Sequence, residues 1–160
     1  MRKPFRLALI SLACLVLTAC SFTTKPTYDT VRSDALAAMQ IVVDAIPDPK
    51  SVHPRPEQEP YGCDDPLIGM NESGAFYTGY WEVAVADDMD VTTFVTNLLD
   101  TLGEGWREEP QTIEVPYAQA NVVRESSGVS LTVEERARNG SKGIDILAIS
   151  RCGVEPEHDS

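Results

Sequence analysis

The sequence predicts a single α+β domain, an antiparallel meander sheet with two helices packed on one face and one disulfide. Two stretches repeat apolar residues at helical spacing. The stretches around and after them alternate apolar and polar residues and end in residues typical of turns, as strands do. The order is helix, strand, helix and then three or four antiparallel strands, which favours this class. We expect the domain to span residues 29–153, which is enough for one hydrophobic core.

The first predicted helix has Asp29 as its N-cap and ends before Pro47. Between these residues the apolar side chains form one helical stripe: Val31, Ala35, Ala38, Met39, Val42, Val43 and Ile46. Such a stripe packs against a partner surface. Six prolines then mark the segment 47–66, which we expect to be extended and without regular structure.

Residues 75–86 form the first predicted strand, which is apolar on both faces. Alternation places Tyr77, Trp81, Val83 and Val85 on one face and Phe76, Tyr80, Ala84 and Ala86 on the other. The second predicted helix begins after its N-cap, Asp90, and ends at Gly103. Its apolar face is formed by Val91, Phe94, Val95, Leu98 and Leu102.

Further strands are predicted at residues 105–108, 117–125, 129–138 and 144–152, with a hairpin at Asn139-Gly140 and a polar tail at 154–160. The last strand is again apolar on both faces, so the sheet face opposite the helices should be covered. Two occupants remain open. One is the segment 47–66; the other is an external partner or apolar ligand on a patch that includes Phe76 and Tyr80.

The N-terminus has the layout of a bacterial secretion signal. Arg2, Lys3 and Arg6 form a positive start, and the apolar run 7–17 is too short to span a bilayer. Leu17-Thr18-Ala19-Cys20 resembles the lipobox of bacterial lipoproteins, with an aliphatic residue, a small residue before the cut and then cysteine. The alternative is an ordinary signal peptide in which Cys20 is incidental.

The lipobox resemblance implies where the protein is located in the cell. Residues 1–19 would be removed as the signal peptide, Cys20 would carry the lipid with acyl chains such as palmitate, and residues 20–28 would form the tether. The protein would then be anchored at the extracytoplasmic face of the cell membrane. Two other cysteines, Cys63 and Cys152, suggest one disulfide there, with two buried thiols or a redox pair as alternatives.

The mature chain would be strongly acidic. Without the three signal-peptide cations it carries 10 Lys and Arg against 25 Asp and Glu, a formal charge of −15. This charge disfavours nucleic acid and is repelled by an anionic bilayer surface. Arg136, Arg138 and Lys142 surround the Asn139-Gly140 turn and predict a basic tip. Such a tip protects a sheet edge or docks on an anionic wall polymer.

Residues that carry chemistry are sparse. The two histidines, His53 and His158, lie in the Pro-rich segment and in the tail. The sequence has no G-x-S-x-G, S-x-x-K, H-E-x-x-H or cysteine cluster, so no catalytic residue, metal or cofactor is predicted. The acidic run at residues 87–90 fits helix capping better than an EF-hand, whose glycine and glutamate positions are not matched. Trp81 and Trp106 are expected in the core rather than as sugar platforms.

We therefore expect a non-enzymatic binding or accessory module of the cell envelope, with an envelope protein or wall component as its partner. An extracytoplasmic hydrolase using paired carboxylates and a carrier of an apolar ligand are the alternatives. Leu102-Gly103-Glu104-Gly105-Trp106 and Ser150-Arg151-Cys152 resemble segments of small lipoproteins of actinobacteria. This second resemblance implies the fold and no activity.

Overall fold

The structure is a computed structural model that describes residues 25–64, 73–111, 113–138 and 141–154. These residues form three helices, a six-stranded antiparallel sheet and a separate two-stranded sheet, which confirms the predicted α+β class. The predicted signal segment, the lipobox-like segment with Cys20, the predicted Asn139-Gly140 turn and His158 lie outside the described residues.

The elements follow one another along the chain. They are α1 (Tyr28–Ala45), β1 (Lys50–Pro54), β2 (Tyr61–Gly62), β3 (Ala75–Phe76), β4 (Thr78–Val85), α2 (Val91–Thr96), α3 (Leu98–Leu102), β5 (Trp106–Glu108), β6 (Gln119–Arg124), β7 (Val129–Arg138) and β8 (Ser141–Ile149). The strand order is β1-β4-β8-β7-β6-β5 in the larger sheet and β2-β3 in the smaller one. Strands β5 to β8 are thus a meander, and β4 and β1 extend it.

The helices lie on one face of the larger sheet, as predicted, because the apolar residues of alternate strand positions meet the helical stripes there. The core is formed by buried residues of α1 and of the central strands: Ala38, Met39, Val42, Val83, Leu131, Val133, Ile144 and Ile146. Trp81 and Trp106 pack against this core, which confirms the expectation for both tryptophans. Among the described residues, no helix is long and apolar enough to cross a membrane.

The helix termini differ in two places from the prediction. The N-cap of α1 is Thr27, whose hydroxyl accepts from the Thr30 amide, rather than Asp29. The Tyr28 amide also donates to the Val154 carbonyl at 2.9 Å, so backbone bonds hold the start of α1 against residue 154. The second predicted helix is divided at Asn97 into α2 and α3.

Hydrogen bonds from threonine hydroxyl groups to backbone carbonyls explain the division of that helix. The hydroxyls of Thr96 and Thr101 donate to the carbonyls of Thr92 and Asn97, four residues earlier in each case. Such bonds compete with helical amides and bend a helix, and β-branched residues lower its propensity. The Asp90 cap is confirmed, because its carboxylate accepts from the Thr93 amide at 2.9 Å.

The expectation of no regular structure in the Pro-rich segment is wrong for residues 61–62, which form β2, and for residues 50–54. Residues 50–54 form β1, the edge strand that pairs with β4 from Lys50 opposite Val85 to Pro54 opposite Trp81. Pro49 and Pro54 flank the residues that need amide hydrogens, and an edge strand tolerates proline at its end. The segment therefore contributes a strand before it leaves the sheet.

Candidate functional site

Three carboxylates lie side by side on the sheet face opposite the helices, which we term the helix-free face. Glu82 of β4 is directly opposite Asp145 of β8, and Asp145 is directly opposite Glu134 of β7. Opposed side chains in a sheet have Cβ atoms about 5 Å apart, and like charges at that spacing are destabilising. The row of Glu82, Asp145 and Glu134, which we term the carboxylate row, therefore needs neutralising partners.

Two arginines supply positive charge to part of this row. Arg136 Nε lies 2.8 Å from Asp145 Oδ1, and Arg136 Nη1 lies 3.7 Å from Glu82 Oε2. Arg136 therefore forms a close ion pair with Asp145 and a longer one with Glu82. Arg55, just beyond β1, forms a second ion pair with Glu82.

Gly143 makes room for the Arg136 guanidinium. It is directly opposite Arg136 across β7 and β8, and its Cβ, if present, would clash with the guanidinium and lie 2.8 Å from the Val83 carbonyl oxygen. Without that atom the Arg136 side chain lies across the sheet and is only 14% exposed. The glycine thus lets one cation reach carboxylates on two other strands.

Tyr80 forms a hydrogen bond with the other carboxylate oxygen of Asp145. Its hydroxyl donates to Asp145 Oδ2 at 2.5 Å, and the Arg55 guanidinium lies 5.4 Å from the centre of the Tyr80 ring. Burial and the hydrogen bond to Asp145 raise the pKa of Tyr80 to about 12. Asp145 itself is buried, so its charge is held by Tyr80 and Arg136 rather than by bulk water.

The Pro-rich segment crosses the sheet at this point. Arg55 contacts the helix-free face, whereas Glu57 forms an ion pair with Arg32 of α1 at 2.5 Å and accepts from the Tyr77 hydroxyl at 3.4 Å. The hydrogen bond and charge of Arg32 hold the pKa of Glu57 below its usual range. Residues 55–57, which we term the strap, therefore contact side chains on both faces of the sheet beside β4 and cover Tyr80 in part.

Two half-open clefts flank Asp145 and Tyr80. The first, of about 400 Å³, is lined by Arg55, Pro56, Gln58, Thr78, Tyr80 and Leu147. The second, of about 460 Å³, is lined by Pro116, Tyr117, Glu134, Glu135, Arg136, Ala137 and Asp145. Because Tyr80 lines one cleft and its partner Asp145 lines the other, the charge network connects them.

The structure separates the two residues of the predicted interaction patch. Phe76 lies in β3 of the small sheet, where its ring centre is 5.1 Å from that of Tyr61. Tyr80 lies in β4 of the large sheet, beside Asp145 and Arg55. Each is partly buried against a different neighbour.

The predicted disulfide is present. The sulfur atoms of Cys63 and Cys152 are 1.98 Å apart, and their Cα atoms are 6.3 Å apart, within the usual range for a disulfide. The bond joins the end of the Pro-rich segment to the residues after β8. Backbone bonds at the same place link Cys63 to Gly74 and Ala75 to Gly153.

The predicted basic tip is not formed by Arg136. That side chain turns onto the helix-free face, because Gly143 leaves space for it beside Asp145. Lys142 instead donates to the Asp87 carbonyl at 2.8 Å and so ties the β7–β8 hairpin to the turn before α2. The side chain of Arg138 lies outside the described part of the structure.

The carboxylate row was not identified from the sequence, although a signal for it exists. Glu82 and Asp145 each interrupt a strand that is otherwise apolar, and a charge at such a position needs a partner. Arg136, in the predicted strand over residues 129–138, supplies positive charge to both. Only the register of β4, β8 and β7 brings the three together.

The described residues offer little for catalysis or metal binding. Ser51 Oγ lies 3.1 Å from His53 Nε2, but both residues are exposed on the edge strand, and Glu82, opposite His53, is in contact with two guanidinium groups. No group of three potential ligands within the described ranges lies close enough to hold a metal ion. No protein-family model matches this chain, and no curated protein or solved structure matches it significantly.

Proposed function

We propose that the protein is a lipid-anchored, non-enzymatic binding module of the bacterial cell envelope and that its helix-free face contacts an envelope component. The lipobox-like segment that ends in Cys20 supports the anchor. The helix-free face supports the binding role, since none of the three described helices packs on it and it carries a charge network between two clefts. That face is the observation on which the proposal rests.

Binding fits this face better than hydrolysis. A glycosidase needs one carboxylic acid that keeps its proton and a second carboxylate that acts as nucleophile or base. Here guanidinium groups contact both Glu82 and Asp145, and Tyr80 donates to Asp145, so neither carboxyl group is set apart as a proton donor. A network of three carboxylates and two guanidinium groups instead positions charged side chains for recognition.

Carriage of an apolar ligand is the weaker alternative. A carrier shelters its ligand in a closed cavity with mostly apolar walls. The two clefts beside the charge network are half open, and charged side chains line both of them, among them Arg55 in the first and Asp145 in the second. The walls of the second cleft suit a polar or charged ligand, and the first cleft, although partly apolar, is open to solvent.

Crosslinking in intact cells tests the proposal. We compare Ile149→Lys with Val154→Lys, two exposed apolar residues that are 41% and 43% exposed. Ile149 is on the helix-free face at the end of β8, whereas Val154 lies beside the start of α1. Ile149→Lys should lower the yield of the crosslinked envelope partner about tenfold, as expected when a charge replaces one apolar contact of the interface. Val154→Lys should leave that yield unchanged.

Two results would contradict the proposal. Equal yields from the two variants, at equal protein level and melting temperature, would remove the helix-free face from the contact. A hydrolytic product released from wall polymer by the purified chain, and lost in Asp145→Asn, would replace the binding role by an enzymatic one.

A further inference from the structure

The first cleft on the helix-free face has walls of two kinds. Its floor belongs to the sheet and includes Tyr80 and Leu147, which are directly opposite each other in β4 and β8. Its side includes Pro56 and Gln58. These two residues belong to residues 56–60, which we term the wall segment and which are exposed and form neither helix nor strand. The width of the cleft therefore depends on where the wall segment lies.

Both ends of the wall segment are fixed to the fold. Just before it, the Arg55 amide donates to the Tyr80 carbonyl at 2.9 Å, so the chain is still paired with β4 there. Just after it, Cys63 is joined to Cys152 by the disulfide. A loop that is held at its two ends can swing about them while the sheet stays intact.

One ion pair determines the position of the middle of the wall segment. Arg32 of α1 donates to both carboxylate oxygens of Glu57, through Nε at 3.0 Å and through Nη2 at 2.5 Å. Two parallel bonds of this kind fix the relative geometry of the two groups. Because Pro56 and Gln58 are the chain neighbours of Glu57, this ion pair also sets the side wall of the cleft.

The same ion pair is accessible to dissolved ions. The side chains of Arg32 and Glu57 are 40% and 44% exposed, and ion pairs of that exposure are weak and are screened by salt. The Tyr77 hydroxyl also reaches Glu57, but at 3.4 Å, which is long for a hydrogen bond. Release of Glu57 therefore takes little free energy, whereas both ends of the wall segment keep their bonds.

From this arrangement we infer that the Arg32–Glu57 ion pair is a salt-sensitive latch, which holds the wall segment against the first cleft and widens the cleft when it opens. Opening uncovers Leu147, which lies two residues from the exposed Ile149 on the same face of β8. The role of the latch rests on the proposed function, because an open latch enlarges the apolar surface on which the envelope component would be seated. The proposed extracytoplasmic location exposes the latch to the ionic strength of the medium.

Limited proteolysis of the exported chain in detergent tests the latch. Proteinase K cuts a segment at a rate that follows its open fraction when opening is fast, and mass spectrometry after reduction identifies cuts within residues 56–60. Arg32→Gln leaves the cleaved sequence unchanged and should raise that rate about two- to fivefold at low salt, as the loss of an exposed ion pair allows. Arg107→Gln removes the same charge from β5, at the opposite edge of the sheet, and should leave the rate unchanged.

Salt and charge exchange supply two further measurements. Between about 0.01 M and about 1 M salt the screening length falls about tenfold, so the ratio of the Arg32→Gln rate to the wild-type rate should approach one. This ratio cancels the effect of salt on the protease itself. The double variant Arg32→Glu with Glu57→Arg should restore the wild-type rate at low salt, whereas Glu57→Arg alone should not.

Equal rates for wild type and Arg32→Gln at low salt, or a ratio that does not change with salt, overturn the latch. Its role in binding has a separate readout, since Arg32→Gln should raise the yield of the crosslinked envelope partner about twofold or more, and an unchanged yield overturns that role. Neither outcome touches the proposed function, which depends on the difference between Ile149→Lys and Val154→Lys. Conversely, equal yields from those two variants would remove the proposed contact and leave the proteolytic evidence for the latch in place.

Discussion

Tyr80 illustrates how a single side chain ties the helix-free face together. Its ring is half-buried beneath Arg55, and its hydroxyl donates to the buried Asp145. Tyr77, three residues earlier, extends to the opposite face and reaches Glu57 of the strap. Gly79 lies between them, and a Cβ there would be only 2.8 Å from the Tyr77 ring, so the glycine lets that ring lie across the strand.

Both tyrosines make the free energy of unfolding depend on pH in the alkaline range. Burial first, and then the neighbouring carboxylates, raise the pKa values of Tyr77 and Tyr80 to about 12. In the unfolded chain a tyrosine loses its proton near pH 10, so between about pH 10 and pH 12 the unfolded state binds fewer protons than the folded state. The contribution of these two tyrosines to the free energy of unfolding should therefore be constant from neutral pH to about pH 10 and fall above it.

Urea unfolding across this range checks the expectation. Tyr80→Phe should lower the free energy of unfolding near neutral pH by about 1–3 kcal/mol, because Asp145 loses a hydrogen-bond donor in a buried place. It should also make the decline above pH 10 shallower, since one of the two shifted groups is gone. A decline of the same slope in wild type and variant would contradict the role of Tyr80.

At the scale of elements, the strap and the disulfide hold the Pro-rich segment to the sheet by different means. The Arg32–Glu57 ion pair is about 40% exposed at each side chain, and pairs of that kind contribute about 0–1 kcal/mol. The Cys63–Cys152 bond closes a span of 89 residues, and the chain-entropy account gives about 4–5 kcal/mol for a loop of that length. The disulfide is therefore the stronger constraint.

Removal of the disulfide should destabilise the domain more than removal of the ion pair. We expect Cys63→Ser to lower the free energy of unfolding by about 2–5 kcal/mol and Glu57→Gln by about 1 kcal/mol or less. Chemical denaturation under non-reducing conditions measures both. Cys152→Ser should match Cys63→Ser, and a pair of alkylatable thiols in exported wild-type protein would contradict the bond.

Periodic elements were predictable from the sequence, and the edge strand was not. The α1 stripe and the strand over residues 129–138 are each visible as a run of regular spacing, since each buries one face in the core. Strand β1 buries little, and prolines at both ends hide it. Its pairing with β4 supplies the stabilisation that local sequence does not.

The candidate site was less predictable than the core for the same physical reason. Glu82, Asp145 and Glu134 are far apart along the chain, and their proximity follows from strand register alone. A register shift of one residue would move every one of these side chains to the other face. Local patterns report which face is apolar, but they carry no information on which charges stand opposite one another.

At the scale of the whole molecule, the proposed anchor would hold a strongly acidic domain close to a membrane. Backbone hydrogen bonds already involve Pro26, so only residues 21–25 separate it from Cys20. Five extended residues reach about 18 Å, roughly two Debye lengths at physiological salt. At that full reach the surface potential is largely screened, so an anionic bilayer would repel the chain of formal charge −15 only when the domain comes closer to the surface.

Acylation of Cys20 is the step on which this arrangement depends. We expect Cys20→Ala to leave the chain without lipid and to move it from the membrane fraction to the soluble fraction, because two or more acyl chains anchor stably and the acidic domain adds no attraction of its own. Cys14→Ala changes a cysteine within the predicted signal and should leave both lipid and fractionation unchanged. Mass spectrometry of the mature N-terminal peptide reads the modification directly. An unmodified Cys20 in protein from the native host would refute the anchor, and retention of Cys20→Ala in the membrane fraction would assign the attachment to another part of the molecule.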